Sequence, residues 1–131
     1  MALTLPCRYD HVGSLLRPSR LKTARADFEH GRIDAEALTR IEDACIREVV
    51  AKQEAIGLRA VTDGEFRRSW WHFDYLAGLA GVEVAESEQG IQFHGVQTKS
   101  QKIVVNGRVD FDRHYMLEHF RFLHAAAGVT A

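Results

Sequence analysis

Residues 58–65 read Leu58-Arg59-Ala60-Val61-Thr62-Asp63-Gly64-Glu65. A short apolar run that ends abruptly in two carboxylates around a glycine has the form of a buried parallel strand. Strands covered by helices on both faces are apolar along their length instead of alternating. In α/β folds, ligands collect at the carboxyl ends of such strands. Asp63 and Glu65 therefore stand where a site is expected.

The residues before this run predict a long helix over 35–56. Asp34 is a good N-cap, Leu38, Ile41, Cys45, Val49 and Ile56 fall on one stripe, and Gly57 follows as the stop. Glu42, Arg47 and Lys52 are expected on other faces. A shorter helix is predicted upstream, with Pro18 and Ser19 in its first turn, Leu21, Ala24 and Phe28 at helical spacing and Gly31 at its end. Before it, Tyr9–Ser14 (YDHVGS) reads as a strand end running into a loop. The order strand, helices, strand, with polar residues at both strand ends, is that of a βαβ unit.

Beyond Glu65, residues 66–79 are aromatic-rich and are expected to be helical in part. From Val82 the pattern changes: Val82/Val84 and Ile91/Phe93 alternate with polar residues. Ile103–Val105, Asn106-Gly107 and Arg108–Phe111 predict a hairpin, since Asn-Gly suits a type I′ turn. This β-hairpin region reads as an insertion between barrel elements. A last helix is predicted over 115–127, capped by Asp112, with Met116, Phe120 and Leu123 on one face and Gly128 at its end; residues 129–131 would begin another strand.

The chain has 131 residues with formal net charge -1, 46% apolar and 27% charged. This is the composition of a globular protein. It lacks the positive excess that nucleic acid or anionic lipid would call for, so neither nucleic acid nor membrane is expected as a partner. The two cysteines, Cys7 and Cys45, make no disulfide framework, and the start MALTLPCRYD lacks the form of a signal peptide. A cytoplasmic location is expected.

Three stretches can carry chemistry. In His11-Val12-Gly13-Ser14, backbone N–H groups and the Ser14 hydroxyl can hold a carboxylate or an amine, and His11 can exchange a proton near neutral pH. The same residues also read as a tight turn with a structural histidine. Asp63-Gly64-Glu65 can bind an ammonium group, act as a base or hold a metal, or can simply pair with Arg67 and Arg68. Trp70-Trp71-His72-Phe73 can wall a flat ligand such as a pterin, or pack a helix. His114 and His119 are five apart, which suits no helical metal pair, and Cys7 with His11 is a weak zinc signal. No metal ligand is assigned in this chain, and no residue of it is assigned with certainty as catalytic.

The combination of HVGSLLRP (11–18) with AVTDGEFRRSWWHFDYL (60–76) resembles the cobalamin-independent methionine synthase family, and the stretch from Gly107 to Ala131 looks like that family's lead into its third barrel strand. The resemblance covers nearly the whole chain. It implies an α/β fold, a (β/α)8 TIM barrel of which residues 1–131 would be a single incomplete domain holding the first strands and helices, since a full barrel takes about 250 residues. It also implies an S-methyltransferase in which zinc holds the thiol of homocysteine as a thiolate that attacks the methyl group of a methyltetrahydrofolate. The loop after the first strand would hold the amino-acid part of the substrate: Val12, Gly13 and Ser14 match the synthase's Ile-Gly-Ser. Glu65 matches the glutamate that contacts the substrate amino group. Asp63-Gly64-Glu65 replaces the synthase's His-Gly-Glu and, like His11, is typical of shorter relatives.

Substrate-binding residues are therefore expected at His11, Val12, Gly13, Ser14, Asp63 and Glu65. The family's zinc ligands, a His-x-Cys pair with a later Glu and Cys, have no counterpart here, so zinc is expected only in the complete enzyme and this chain alone is expected to be inactive. Two other readings stand beside this one. A relative can alkylate another thiol, as in epoxide transfer to coenzyme M. A truncated remnant can serve as a binding module, with oligomerisation covering open barrel edges.

Overall fold

The computed structural model describes residues 11–70, 72–87, 92–93, 96–97 and 101–131. It is a mixed α/β structure with helices α1 (Ser19–Glu29), α2 (Ala35–Ala55), α3 (Phe73–Leu76) and α4 (Tyr115–Ala126), and strands β1 (Ala80–Glu86), β2 (Gln92–Phe93), β3 (Val96–Gln97) and β4 (Gln101–Asp110). The chain divides into two compact units, residues 1–67 with 119–131, and residues 68–118.

In the first unit, α2 begins where Asp34 Oδ1 accepts the Ala37 N–H at 2.7 Å and ends before Gly57, as its sequence predicts. Its inward stripe buries Cys45, Ile46, Val50 and Gln53. Two expectations fail. Glu42 belongs to the buried stripe, and Ile56 is 76% exposed. Glu42 is tolerated inside because Arg25 Nη1 and Arg67 Nη1 reach its two carboxylate oxygens at 3.1 and 3.0 Å, which offsets the desolvation of a buried charge. Ile56 lies past the last helical residue, off the packed face. In α1, Leu21 and Ala24 are buried, but Phe28, one turn on, is 42% exposed. Pro18 is the residue before the helix, its carbonyl accepting from Leu21 and Lys22. The expected strand end at Tyr9 and Asp10 lies outside the described residues, and residues 11–18 form neither helix nor strand.

The run that predicts a strand, and the expected strand start at 129–131, form no strand; they meet in one isolated parallel bridge, Ala60–Thr130. The Val61 N–H donates to Thr130 O at 2.9 Å, and the Thr130 N–H to Arg59 O at 3.2 Å. The buried Gln53 amide of α2 serves Thr62 as a strand neighbour would: Nε2 donates to Thr62 O at 2.8 Å and Oε1 accepts the Thr62 N–H at 3.1 Å. Leu21, Cys45, Ile46, Val50, Val61, Phe66 and Leu123 form the core of this unit. Full burial of Phe66 alone contributes about 2–3 kcal/mol.

The second unit departs most from expectation. Residues 101–110 are one strand, not two arms of a hairpin, and they pair antiparallel with β1: Val82 faces Val105 and Glu86 faces Gln101. Asn106-Gly107 sits in a bulge, where the register jumps from Val82–Val105 to Ala80–Asp110. The glycines allow it: Gly81 has φ +72°, and a Cβ there would stand 2.5 Å from the Arg108 carbonyl oxygen. Neither Asn106 nor Gly107 takes the positive φ a type I′ turn needs; the positive φ sits opposite, at Gly81, so the irregularity is a bulge in the β1–β4 pair and not a reversal. Strands β2 and β3 pair antiparallel in a sheet of their own, Gln92 with Gln97 and Phe93 with Val96, while Ile91, the other half of the expected alternation, lies outside the described residues. The α4 N-terminus is capped by His114, not by Asp112. Nδ1 accepts the Met116 N–H at 3.2 Å, and Nε2 donates to Tyr75 O at 2.8 Å. The ring lies against Gly78, where any Cβ would clash with it. Beside it the Tyr115 hydroxyl donates to the Asp74 carbonyl, and burial, with the Asp74 charge, pushes the phenol pKa up.

Candidate functional site

The turn that follows the Val61 run has an unusual backbone. The Phe66 N–H reaches back to Asp63 O at 3.4 Å, and both central residues have positive φ, +65° at Gly64 and +58° at Glu65. Two consecutive positive φ values make a turn of the I′ kind, for which glycine, asparagine and aspartate are the ordinary residues. Glutamate in this conformation costs about 1–2 kcal/mol. Asp63 and Thr62 offset part of it, Asp63 Oδ1 accepting the Glu65 N–H at 2.9 Å and Thr62 Oγ1 the Gly64 N–H at 3.2 Å.

The loop of residues 11–18 meets this turn. The Leu15 N–H donates to Gly64 O at 3.1 Å, and the Ser14 hydroxyl donates to Glu65 Oε2 at 2.5 Å. The second distance is that of an O–H bond to an ionised carboxylate. A carboxylate presents two oxygens with about four acceptor positions, so Glu65 can take an ammonium group besides Ser14. Gly13 and Ser14 are exposed, Glu65 is half-buried, and Gly13 has φ +96°.

Of the six predicted site residues, Ser14, Asp63 and Glu65 are thus joined by hydrogen bonds and Gly13 adjoins them. Val12 is 87% exposed. His11 is half-buried, and its Nε2 is buried with no hydrogen-bond partner among the described residues. An imidazole nitrogen in that state is a costly one to leave unsatisfied, and it stands on the same loop as Ser14.

Asp63 and Glu65 do not spend themselves on Arg67. That guanidinium turns to α2 instead, binding Glu42 and Asp43 and lying over the Phe122 ring with its carbon 5.0 Å from the centroid. Trp70, His72 and Phe73 pack on one another in the second unit, with ring centroids 5.8 Å apart for Trp70–Phe73 and 4.2 Å for His72–Phe73, while Trp71 lies outside the described residues.

Two participants are missing from the sequence reading. Arg17 donates to Glu65 O at 2.7 Å, and Arg25 to Arg67 O at 3.1 Å. Their only sequence signal is that Arg17 lies in HVGSLLRP. A guanidinium that holds main-chain carbonyls leaves no spacing to read.

Among the described residues, no group of three or more His, Cys, Asp or Glu side chains could hold a metal ion. Cys45 is buried with its sulfur 3.2 Å from Arg20 Nε. The residues described thus do not fit a zinc centre. No helix among them is long and apolar enough to cross a membrane.

No protein-family model matches the chain. It is 54% identical over 123 residues to the uncharacterized protein YxjG of Bacillus subtilis (strain 168), a match covering 94% of this chain and 32% of that one. To the uncharacterized protein YxjH of the same organism it is 52% identical over 123 residues, covering 94% and 33%. Among solved structures it is similar to the "Putative Vitamin-B12 Independent Methionine Synthase from Listeria monocytogenes", with a TM-score of 0.76 and 39% identity over 97% of this chain and 34% of that one. The chain spans about a third of the length of the relatives it matches.

Proposed function

We propose that residues 1–131 are the opening part of a (β/α)8 barrel domain in a cobalamin-independent S-methyltransferase, and that they bind the amino-acid end of a homocysteine-like thiol. The observation that carries this reading is the Ser14–Glu65 contact, which joins loops 51 residues apart just after the Val61 run. The likeness to the Listeria protein supports the same family. Glu65 receives the substrate ammonium. The backbone N–H groups at Gly13 and Ser14 orient the substrate carboxylate, the Ser14 hydroxyl holds the Glu65 carboxylate, and Asp63 holds the Glu65 peptide in place. His11, with its unsatisfied nitrogen, is positioned to take or give a proton on the same loop.

The reaction is transfer of a methyl group from a methylated folate to the thiol sulfur. An S–C bond forms, the donor's N–C bond breaks, and the thiol proton ends on the donor nitrogen. Activation of the sulfur by zinc belongs, on this reading, to residues of a longer protein, and no step here is assigned to it. Methionine biosynthesis in the cytoplasm is the corresponding role.

Glu65→Gln in the complete enzyme is expected to raise the KM for the amino-acid thiol by about ten- to a hundred-fold, the worth of one charged hydrogen bond. Unchanged kinetics would remove Glu65 from the site. The Asp63-Gly64-Glu65 sequence, in place of the synthase's His-Gly-Glu, favours a second reading in which the thiol or alkyl donor differs. A panel of thiols, including coenzyme M with an epoxide, separates the two: turnover of homocysteine with methylated folate establishes the first.

A further inference from the structure

The carbonyl groups of four consecutive residues, 64 to 67, are all taken by donors from the segment 15–25. Leu15 N–H holds Gly64 O at 3.1 Å, and Arg17 Nη2 holds Glu65 O at 2.7 Å. Arg17 Nε and Arg25 Nη1 both reach Phe66 O at 3.4 Å, and Arg25 Nη1 also reaches Arg67 O at 3.1 Å. Arg25 is itself anchored to Glu42 at 3.1 Å. Glu65, at φ +58°, is the one non-glycine among the described residues with positive φ, and its own carbonyl is the one that Arg17 grips most closely.

From this arrangement we infer that Arg17 is a positioning residue: it holds Glu65 in the left-handed conformation from which its carboxylate meets Ser14. The backbone geometry gives the reason. If Glu65 relaxed to negative φ, its peptide planes would rotate, the Glu65 and Phe66 carbonyls would leave the guanidinium, and the carboxylate would swing away from Ser14 Oγ. The planar fork of an arginine spans two successive carbonyls with fixed geometry, whereas a lysine ammonium is a single point donor. The strained turn is thus set through main-chain carbonyls, by a guanidinium from another segment. The consequence for ligand affinity rests on the reading of Glu65 as the ammonium-binding carboxylate; the conformational role does not.

The test is NMR on the full 131-residue chain. Positive φ brings a residue's own amide proton close to its Hα, giving a strong intraresidue NOE. In Arg17→Gln the Glu65 signal is expected to lose that NOE and shift its 13Cα resonance, while the amide pattern of α2 is kept. Should Arg17→Gln fail to fold, Arg17→Lys poses the same question with the charge retained, and the same loss is expected. A folded variant in which Glu65 keeps its strong NOE overturns the proposal.

The companion measurement is kinetic, in the complete enzyme. Arg17→Lys should raise the KM for the amino-acid thiol by about ten-fold and by more than it lowers kcat, as expected when ground-state binding is lost. Loss of the NOE with an unchanged KM upholds Arg17 as the positioning residue and instead removes Glu65 as the ammonium ligand.

Discussion

At Gly64 an added Cβ would stand 3.0 Å from Leu15 Cβ and 3.0 Å from Phe66 Cε1, and φ is +65°. Neighbour and backbone both exclude a side chain, so Gly64→Ala is expected to cost about 2–4 kcal/mol, combining left-handed strain with overpacking. Urea unfolding followed by far-UV CD would measure it; a loss below about 0.5 kcal/mol, the range of ordinary surface substitutions, would mean that the turn relaxes at no cost. The neighbouring Glu65 shows the opposite balance. There the conformation suits glycine and the residue is a glutamate, which is the pattern of strain retained at a functional position. Asp63-Gly64-Glu65 can be read from the sequence as a carboxylate pair at a strand end. Its positive φ at Glu65 cannot, because nothing local favours glutamate there; the donors that hold it come from residues 15–25.

At the scale of elements, α2 was the most legible. Asp34, the 3.6-residue stripe and Gly57 are local signals, each tied to main-chain groups within a few residues. Asp34→Ala removes the acceptor of the Ala37 N–H and is expected to destabilise the protein by about 1 kcal/mol, seen as a lower thermal midpoint. Asp34→Asn should leave the midpoint nearly unchanged, and a full loss with asparagine would assign the effect to charge instead of the cap. The ribbon of β1 and β4 was misread for a related reason. Asn106-Gly107 reads locally as a turn, but both residues stay in extended strand because β1 lies beside them and the positive φ falls at Gly81 instead. The α4 cap follows the same logic: Asp112 has the right chemistry, yet His114 occupies the capping position and is held there by Tyr75.

At the scale of the whole molecule, the first unit is organised around a charge that sequence pattern places on the surface. Glu42, 6% exposed, takes Arg25 from α1 and Arg67 from the end of the turn, so one carboxylate ties together α1, α2 and the residues after Glu65. Replacing Glu42 by alanine leaves the buried Arg67 with Asp43 as its acidic partner. A loss of about 3–5 kcal/mol is expected, typical of breaking a buried pair by one partner. Calorimetry would measure it at two salt concentrations, since a buried pair is only weakly screened. A loss that vanishes in high salt would mean the pair is effectively solvent-exposed.

The sequence by itself determined the local events: where the long helix α2 starts and stops, and that two carboxylates flank a glycine after the Val61 run; of the two strands it predicts there, the structure keeps a single parallel bridge, Ala60–Thr130. The local events depend on groups a few residues apart, whose hydrogen bonds and side-chain periodicity are written in neighbouring positions. The tertiary structure alone decided that Ser14 meets Glu65, that Glu42 is an interior charge, that Arg17 grips a strained turn and that Asn106-Gly107 bulges instead of turning. Each of those joins segments some 20 to 50 residues apart, and the energy that selects it comes from burial and pairing across the fold, which a local pattern does not contain.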